Sequence, residues 1–200
     1  MKETKVGKYL IVGPSDMKWG VVVTSVGNQT ISPGEDYPPR NHPSRYLFSS
    51  TSGRILNEFQ LVYIVHGRGF FTSETTGKIV KINAGDVMLL FPGEWHNYYP
   101  DKETGWVDMW IGFKGAIPES WVAAGIISKE SPVLHPGIHN RLEQMFMQGI
   151  EYANSGAMDY QKVLGGTAIN IVGTALYFDR NNIFKGNEIS KLMEDAREII

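Results

Sequence analysis

The feature that most constrains the fold is a change in hydrophobic spacing close to Pro136. Before this proline, apolar and β-branched residues come in short runs that glycine and proline interrupt. After it, apolar residues recur every three or four positions. The first pattern is typical of β-strands and the second of amphipathic helices. The sequence therefore predicts a β-rich part followed by a helical part.

Four stretches of the first part are predicted to form strands: WGVVVTSVG, FQLVYIVHGRGFFTSE, GKIVKINAGDVMLLFPGEWHNYY and GWVDMWIGFKG. Turn signals divide them at Gly67-Arg68-Gly69, Asn83-Ala84-Gly85 and Pro92-Gly93. We interpret HGRG as a hairpin turn rather than a phosphate-binding loop, because a strand-like segment follows it and not a helix. No ten-residue helix separates the strands, which excludes a parallel α/β sheet and favours an antiparallel sandwich or small barrel.

The second part is predicted to form two antiparallel helices joined at Asn154-Ser155-Gly156. The second of them covers about residues 159 to 179. The apolar residues of the first helix share one face, and they are Ile138, Leu142, Met145, Phe146 and Ile150. Those of the second are Val163, Leu164, Ala168, Ile171, Val172, Ala175 and Leu176. An apolar face of this kind fits an ordinary core and a dimer interface equally well.

The last segment, NEISKLMEDAREII, carries a further helical stripe but has no glycine, asparagine or proline stop signal. We expect the natural protein to continue into another domain. The predicted division is a β-barrel with an N-terminal arm in residues 1–135, a helical hairpin in 136–182, and a linker or the start of a truncated domain in 183–200.

Composition limits the classes of function. A chain of 200 residues with 42% hydrophobic content can bury a core of its own. A net charge of −2 without a cluster of basic residues makes this chain by itself a poor nucleic-acid binder. Cysteine is absent, which excludes disulfides, thiolate metal sites and cysteine nucleophiles. No apolar run has the length of a signal peptide core or a membrane span, so we predict a soluble, cytoplasmic protein without membrane contact.

Aromatic and polar residues alternate in two neighbouring predicted strands. His96 and Tyr98 share one face of the first, and Trp106, Asp108 and Trp110 share one face of the second. Aromatic rings offer flat surfaces to the C–H face of a sugar, and His, Asp and Tyr can bond its hydroxyl groups. The alternative is that these aromatic residues only fill the core.

Other chemistries find less support. There is no His-x-His pair for a metal site in a barrel, and Glu58 and Gln60 stand where such a pair is expected. No Gly-x-Ser-x-Gly elbow is present. Proton transfer by His96 with Asp108 stays open. Arg54 precedes an apolar strand, where its guanidinium either turns into the mouth of the barrel or is exposed.

Taken together, GRILNEFQLVYIVHGRGFF, INAGDVMLLFPGEWHNYYP and WVDMWIGFKG resemble the ligand-binding and dimerisation domain of AraC-type transcriptional regulators. The resemblance covers roughly residues 15 to 180. It implies a mainly β fold, a cupin-like antiparallel β-barrel (jelly roll) followed by two antiparallel helices. It also implies a small effector, often a sugar, and a homodimer through the helices at 138–180. DNA would be bound only by a C-terminal helix-turn-helix domain that this chain lacks.

The resemblance implies ligand-binding roles for Arg54, His96, Tyr98 and Trp110, with Trp106 matching a tryptophan nearby. Asp108 stands where the arabinose-responsive member has histidine. Because its carboxylate accepts hydrogen bonds and is negatively charged, Asp108 favours a neutral sugar or polyol over an anionic effector. Two further candidates lie in the loosely matched N-terminal region, and they are Gln29 and Trp19, the latter on an arm that covers the pocket.

We therefore predict a carbohydrate sensor with no catalytic residue, metal or cofactor. Two alternatives remain: a cupin-type enzyme, such as a sugar isomerase that uses His96 and Asp108, and a dimerisation module whose barrel is filled by its own side chains.

Overall fold

The computed structural model describes residues 6–38 and 52–186. The strands in these residues are β1 (Val6–Tyr9), β2 (Val22–Ile31), β3 (Arg54–Ile55), β4 (Phe59–Ser73), β5 (Val80–Asn83), β6 (Val87–Leu90), β7 (Trp95–Pro100), β8 (Trp106–Lys114) and β9 (Val133–Leu134). The helices are α1 (Pro14–Met17), α2 (Ala116–Ala123), α3 (Asn140–Asn154) and α4 (Tyr160–Gly186). The short α1 and α2 lie in the part that was predicted to be strands and turns.

All strand pairs between these elements are antiparallel, and they form two sheets that share β4. One sheet has the order β1-β2-β8-β4-β6-β9. In the other, β7 lies between β3 and the second half of β4, and β5 pairs with β4 as well. The long β4 passes from one sheet to the other and so closes a barrel. The predicted antiparallel barrel followed by helices is confirmed.

The larger sheet is buried on both faces. Its inner face and the facing strands of the second sheet form one apolar cluster, which includes Val62, Ile64, Phe71, Trp106 and Trp110. Its outer face packs against the helices in a second cluster. That cluster alternates with the first along each strand, and it includes Leu61, Tyr63, Met109, Ile111 and Phe113. Burial on both faces explains why β4 and β6 contain nearly continuous apolar runs.

Helices α3 and α4 cover the outer face of this sheet. The buried residues of α3 are Leu142, Met145, Phe146, Gly149, Ile150 and Ala153. The inner face of α4 contributes Leu164, Ala168, Ile171, Val172 and Ala175 to the same cluster. The apolar faces that the sequence left open between core and interface are therefore core in this chain.

Two members of the predicted helical faces were placed wrongly. Ile138 is 59% exposed and precedes α3, because His139 at the N-cap has an extended backbone and the helix begins only at Asn140. Val163 is 48% exposed and lies on the side of α4 that faces away from the sheet. The described residues end at Gly186, the last residue of α4. Most of the predicted linker in 183–200 therefore lies outside them.

The predicted hairpin at Gly67-Arg68-Gly69 is wrong. β4 runs through these residues without turning back. Gly67 has a φ of 82°, and a Cβ there would lie 2.2 Å from the carbonyl oxygen of Gly105. A Cβ on Gly69 would lie 2.4 Å from the carbonyl oxygen of Tyr99. The glycines therefore allow the strand to bend between the two sheets while other backbone segments pass close by.

Candidate functional site

The inner face of the larger sheet carries four rows of facing residues. β2 contributes Ser25, Gly27, Gln29 and Ile31, and β8 contributes Gly112, Trp110, Asp108 and Trp106 opposite them. On the other side of β8, Asp108 pairs with Ile64 and Gly112 pairs with Gln60 of β4. The structure thus places Asp108 between Trp106 and Trp110 on one face of β8, as the sequence predicted. It also places Gln29 beside Asp108.

Arg54 connects the second sheet to this face. It lies on β3 directly opposite His96 of β7 and is half-buried. Its Nε lies 3.4 Å from His96 Nε2, and its Nη2 donates to Tyr98 Oη and, at 3.2 Å, to Gln60 Oε1. The guanidinium therefore turns into the barrel instead of pointing into solvent, and it joins two of the predicted ligand-binding residues.

His96 is only 1% exposed and is held as a neutral imidazole. Burial, followed by the positive charge of Arg54, lowers its pKa from 6.5 to about 3. Its Nδ1 lies 3.1 Å from the carbonyl oxygen of Glu94, which can only accept, so Nδ1 carries the proton. Nε2 is then a hydrogen-bond acceptor directed at Arg54.

Tyr37 belongs to the site although the sequence analysis did not select it. Its ring meets Trp106 edge-on with 5.8 Å between centroids and lies 6.3 Å from the ring of Tyr98. Burial raises the pKa of both tyrosines, and their hydroxyl groups are hydrogen-bonded to each other. Tyr37 stands before two prolines and outside every predicted strand, so no local signal marked it.

Gln60 was also missed as a site residue. The sequence analysis considered it only as a place where a metal-binding histidine was absent. A polar residue at an inward position of an otherwise apolar strand was the available signal, since a buried amide needs hydrogen-bond partners. Arg54 is one such partner.

Two polar atoms beside Asp108 on this face have no partner among the described residues. Gln29 Nε2 donates to Asp108 Oδ2 at 2.9 Å, which leaves Gln29 Oε1 as a buried acceptor without a donor. Trp106 Nε1 is a buried donor without an acceptor. Buried groups of this kind are uncommon in native proteins, and they mark places where a ligand or water completes the hydrogen bonding.

Trp19 lies apart from the site residues described above. It follows α1, is 53% exposed, and its Cδ1 would lie 3.4 Å from a Cβ built on Gly165 of α4. Trp19 therefore does not lie on an arm over the pocket, where it was predicted. An exposed aromatic residue near the chain start gives no information about which side of the sheet it covers.

Comparison with known families gives a clear result. The model of the AraC-like ligand binding domain matches residues 32–159, which is more than half of the chain. The chain belongs to this family. The matched region of the AraC-like domain contains every predicted site residue except Gln29 and Trp19.

The AraC-like domain is 26% identical over 102 residues to the MmsAB operon regulatory protein of Pseudomonas aeruginosa. That match covers 50% of this chain and 33% of the regulator, so the chain spans about a third of that relative's length.

Among solved structures, a predicted oxalate decarboxylase of Thermotoga maritima is 20% identical, with 54% of this chain and 78% of that chain covered and a TM-score of 0.35. A cupin protein of Bacteroides fragilis is 15% identical, with 57% and 79% covered and a TM-score of 0.38.

In residues 6–38 and 52–186, no three His, Asp or Glu side chains converge closely enough to hold a metal ion. Within the same residues, none of the helices has both the length and the hydrophobicity that crossing a membrane requires.

Proposed function

We propose that this domain is the effector-sensing part of a transcription regulator and that its effector is a small neutral carbohydrate bound inside the barrel. The family supports ligand sensing, and the regulatory protein among its relatives supports a role in transcription. The sugar itself is inferred from the chemistry of the inner face.

The observation that carries the proposal is a pair of buried polar atoms, Gln29 Oε1 and Trp106 Nε1, that have no partner in residues 6–38 and 52–186. One accepts and the other donates, so the complementary ligand must also do both. A sugar hydroxyl has this property. The flat indole surfaces of Trp106 and Trp110 lie in the same interior and suit the apolar C–H face of a sugar ring.

The charges of the site favour a neutral ligand. At the end of the inner face that carries Gln29, Arg54 contributes a positive charge, Asp108 a negative one, and His96 is uncharged because its pKa is lowered to about 3. A charged ligand would add a net charge to a buried site, and burying an uncompensated charge is costly. A neutral polyol gains hydrogen bonds from both charged groups without that cost.

The isomerase alternative receives no support from the geometry. A general base works best with a pKa near the working pH, and the pKa of His96 lies far below it. Its accepting nitrogen faces Arg54, and the Asp108 carboxylate is bonded to Gln29. We therefore propose binding without turnover.

The outer face of α4 supports the proposal of a homodimer. A Cβ on Gly166 or Gly173 would meet nothing within 4 Å, and Tyr177 is 61% exposed on a neighbouring turn. Glycine in an exposed helix costs about 1 kcal/mol relative to alanine. Two of them, seven residues apart, are consistent with close approach by a second copy, and such a dimer would present two DNA-binding domains that lie beyond this chain. We place the whole regulator in the cytoplasm.

A calorimetric screen of mono- and disaccharides tests the effector proposal. Arg54→Ala should weaken binding of a sugar by about 1–3 kcal/mol, because it removes a charged donor and leaves its partners unsatisfied. Arg68→Ala is the matched control: Arg68 is also a strand arginine, but it pairs with Asp101 and Glu103 at the surface. If no sugar binds the unaltered protein, the proposed effector class is wrong.

Sedimentation equilibrium tests the dimer. We expect a dimer at micromolar concentrations and a monomer after Gly173→Arg, which places a charged side chain on the outer face of α4. A monomer at all concentrations of the unaltered protein would refute the homodimer without affecting the sugar proposal.

A further inference from the structure

A second polar group lies two rows along the inner face from the pair Gln29 and Asp108. Opposite Gly112, β2 contains one extra residue, because the register shifts between Val23 and Ser25. A bulge of this kind bends a strand and redirects its side chains. Thr24 is the extra residue.

Three oxygens converge above Gly112. A Cβ built on this glycine would lie 2.5 Å from Ser25 Oγ, 2.7 Å from Glu58 Oε1 and 2.9 Å from Thr24 Oγ1. Any larger residue at this position would displace them. Gly112 therefore provides the space in which two hydroxyl groups and a carboxylate meet.

The group is deeply buried and its hydroxyl oxygens lack partners. Ser25 is 0%, Thr24 4% and Glu58 2% exposed. Thr24 Oγ1 and Ser25 Oγ make no hydrogen bond within the part of the chain that the structure describes. A hydroxyl buried without a partner destabilises a protein, which favours a role in binding over a role in folding.

The group is continuous with the site already described. Gln60 pairs with Gly112 across β4 and β8, and its amide oxygen accepts from Arg54 at 3.2 Å. Along β2, Ser25 lies four residues from Gln29, which corresponds to roughly 13 Å at the usual rise of a strand. Trp110 lies in the row between them, opposite Gly27.

We propose that Thr24, Ser25 and Glu58 form a second hydrogen-bonding subsite, so that the effector is a carbohydrate longer than one ring, of about disaccharide size. A hydroxyl group of the second ring donates to the Glu58 carboxylate and accepts from both Ser25 and Thr24. The first ring binds at Gln29 and Asp108, and Trp110 lies beneath the linkage. This inference rests on the proposed carbohydrate function.

Titration calorimetry with paired probes tests the subsite. The probes are D-xylose with xylobiose and D-glucose with cellobiose and maltose. For the unaltered protein, we expect at least one disaccharide to bind about tenfold or more tightly than its monosaccharide. Ser25→Ala and Thr24→Val should each reduce that preference by about three- to tenfold, the effect of one lost neutral hydrogen bond. Monosaccharide affinity should not change.

Thr30→Val is the matched control, since Thr30 lies on the same strand but on its other face, beside Val107. Thermal unfolding without sugar supplies a second readout. Ser25→Ala should leave the melting temperature unchanged or raise it, because it removes a buried hydroxyl that has no partner.

The possible outcomes separate the two proposals. Equal affinity for mono- and disaccharides, or a preference that survives both substitutions, overturns the subsite and leaves the carbohydrate function intact. A lower melting temperature of Ser25→Ala also overturns it, because the hydroxyl would then be structural. Binding of none of the probes by the unaltered protein refutes the carbohydrate function itself.

Discussion

Replacement of His96 by glutamine should remove a large part of the acid sensitivity of the fold. In the native state the imidazole is buried, its Nδ1–H donates to Glu94, and Arg54 lies at its other nitrogen. Burial and the positive charge of Arg54 both oppose a second proton, and together they outweigh the Glu94 carbonyl, which favours it. Glutamine is uncharged at every pH, and its side-chain oxygen can accept from Arg54 as Nε2 does.

The size of the effect follows from the pKa of His96 in the two states. The unfolded chain binds a proton at this histidine below 6.5, whereas the native protein does so only below about 3. Between these values the unfolded state holds more protons, so the free energy of unfolding falls as the pH decreases. At about pH 5 the loss due to this residue is about 2 kcal/mol, and it grows toward pH 3.

Urea unfolding at a series of pH values between about 7.5 and 5 measures this contribution directly. The profile of His96→Gln should be flatter than that of the unaltered protein, with a difference of about 2 kcal/mol at the acid end. His66→Gln is the control, because His66 is exposed and its replacement should leave the profile as it is. Parallel profiles for all three proteins would show that His96 is not a buried neutral imidazole.

Two further predictions concern the fold, and urea unfolding checks both. Gly67→Ala should destabilise the protein by about 3 kcal/mol or more, since the new Cβ would collide with Gly105 at a positive φ. Gly77→Ala, also at a positive φ but with open space, should cost only about 1 kcal/mol, and equal costs would contradict our account of β4. Phe146→Ala should cost about 3–5 kcal/mol if α3 shares a core with the outer face of the larger sheet. Met147→Ala, at a site that is 43% exposed, should cost less than about 1 kcal/mol, and a similarly small effect of Phe146→Ala would mean that α3 is not part of that core.

Local periodicity was sufficient to predict most of the strands, the two long helices and which of their side chains share a face. Alternation placed Trp106, Asp108 and Trp110 on one side of a strand, and all three point into the barrel. The helical spacing after Pro136 likewise predicted α3 and α4. These predictions succeeded because burial on one face of an element is recorded in its own sequence.

The path of β4 could not be predicted in the same way. A hairpin and a bent strand both require glycine at a positive φ, so Gly67-Arg68-Gly69 is compatible with each. What decides between them is the backbone of Gly105, which is 38 positions away and crosses Gly67 at close range. The path of β4 is therefore decided by a tertiary contact with Gly105 and not by the sequence around Gly67.

The candidate site could be predicted only in part, because some of its residues are identified only by their tertiary contacts. Alternation selected His96 and Tyr98, the family resemblance added Arg54, and the structure joins the three by hydrogen bonds. Tyr37 and Gln60 carry no pattern of their own, and their roles depend on which strands close the barrel. Trp19 is the opposite case: it was predicted to be a site residue, but its exposed ring lies outside the candidate site.

The side chain of Gln161 continues the pairing of β2 at the point where β1 ends. Its amide oxygen accepts from Val23 N–H at 3.0 Å, and its amide nitrogen donates to Val23 C=O at 2.9 Å, as a neighbouring peptide group would. The first turn of α4 is thereby attached to the residue that directly precedes Thr24. A rearrangement of Thr24 and Ser25 must either carry the start of α4 with it or break two buried hydrogen bonds. On the proposed function, a change in the occupancy of the barrel would then be transmitted along a 27-residue helix that reaches Gly186.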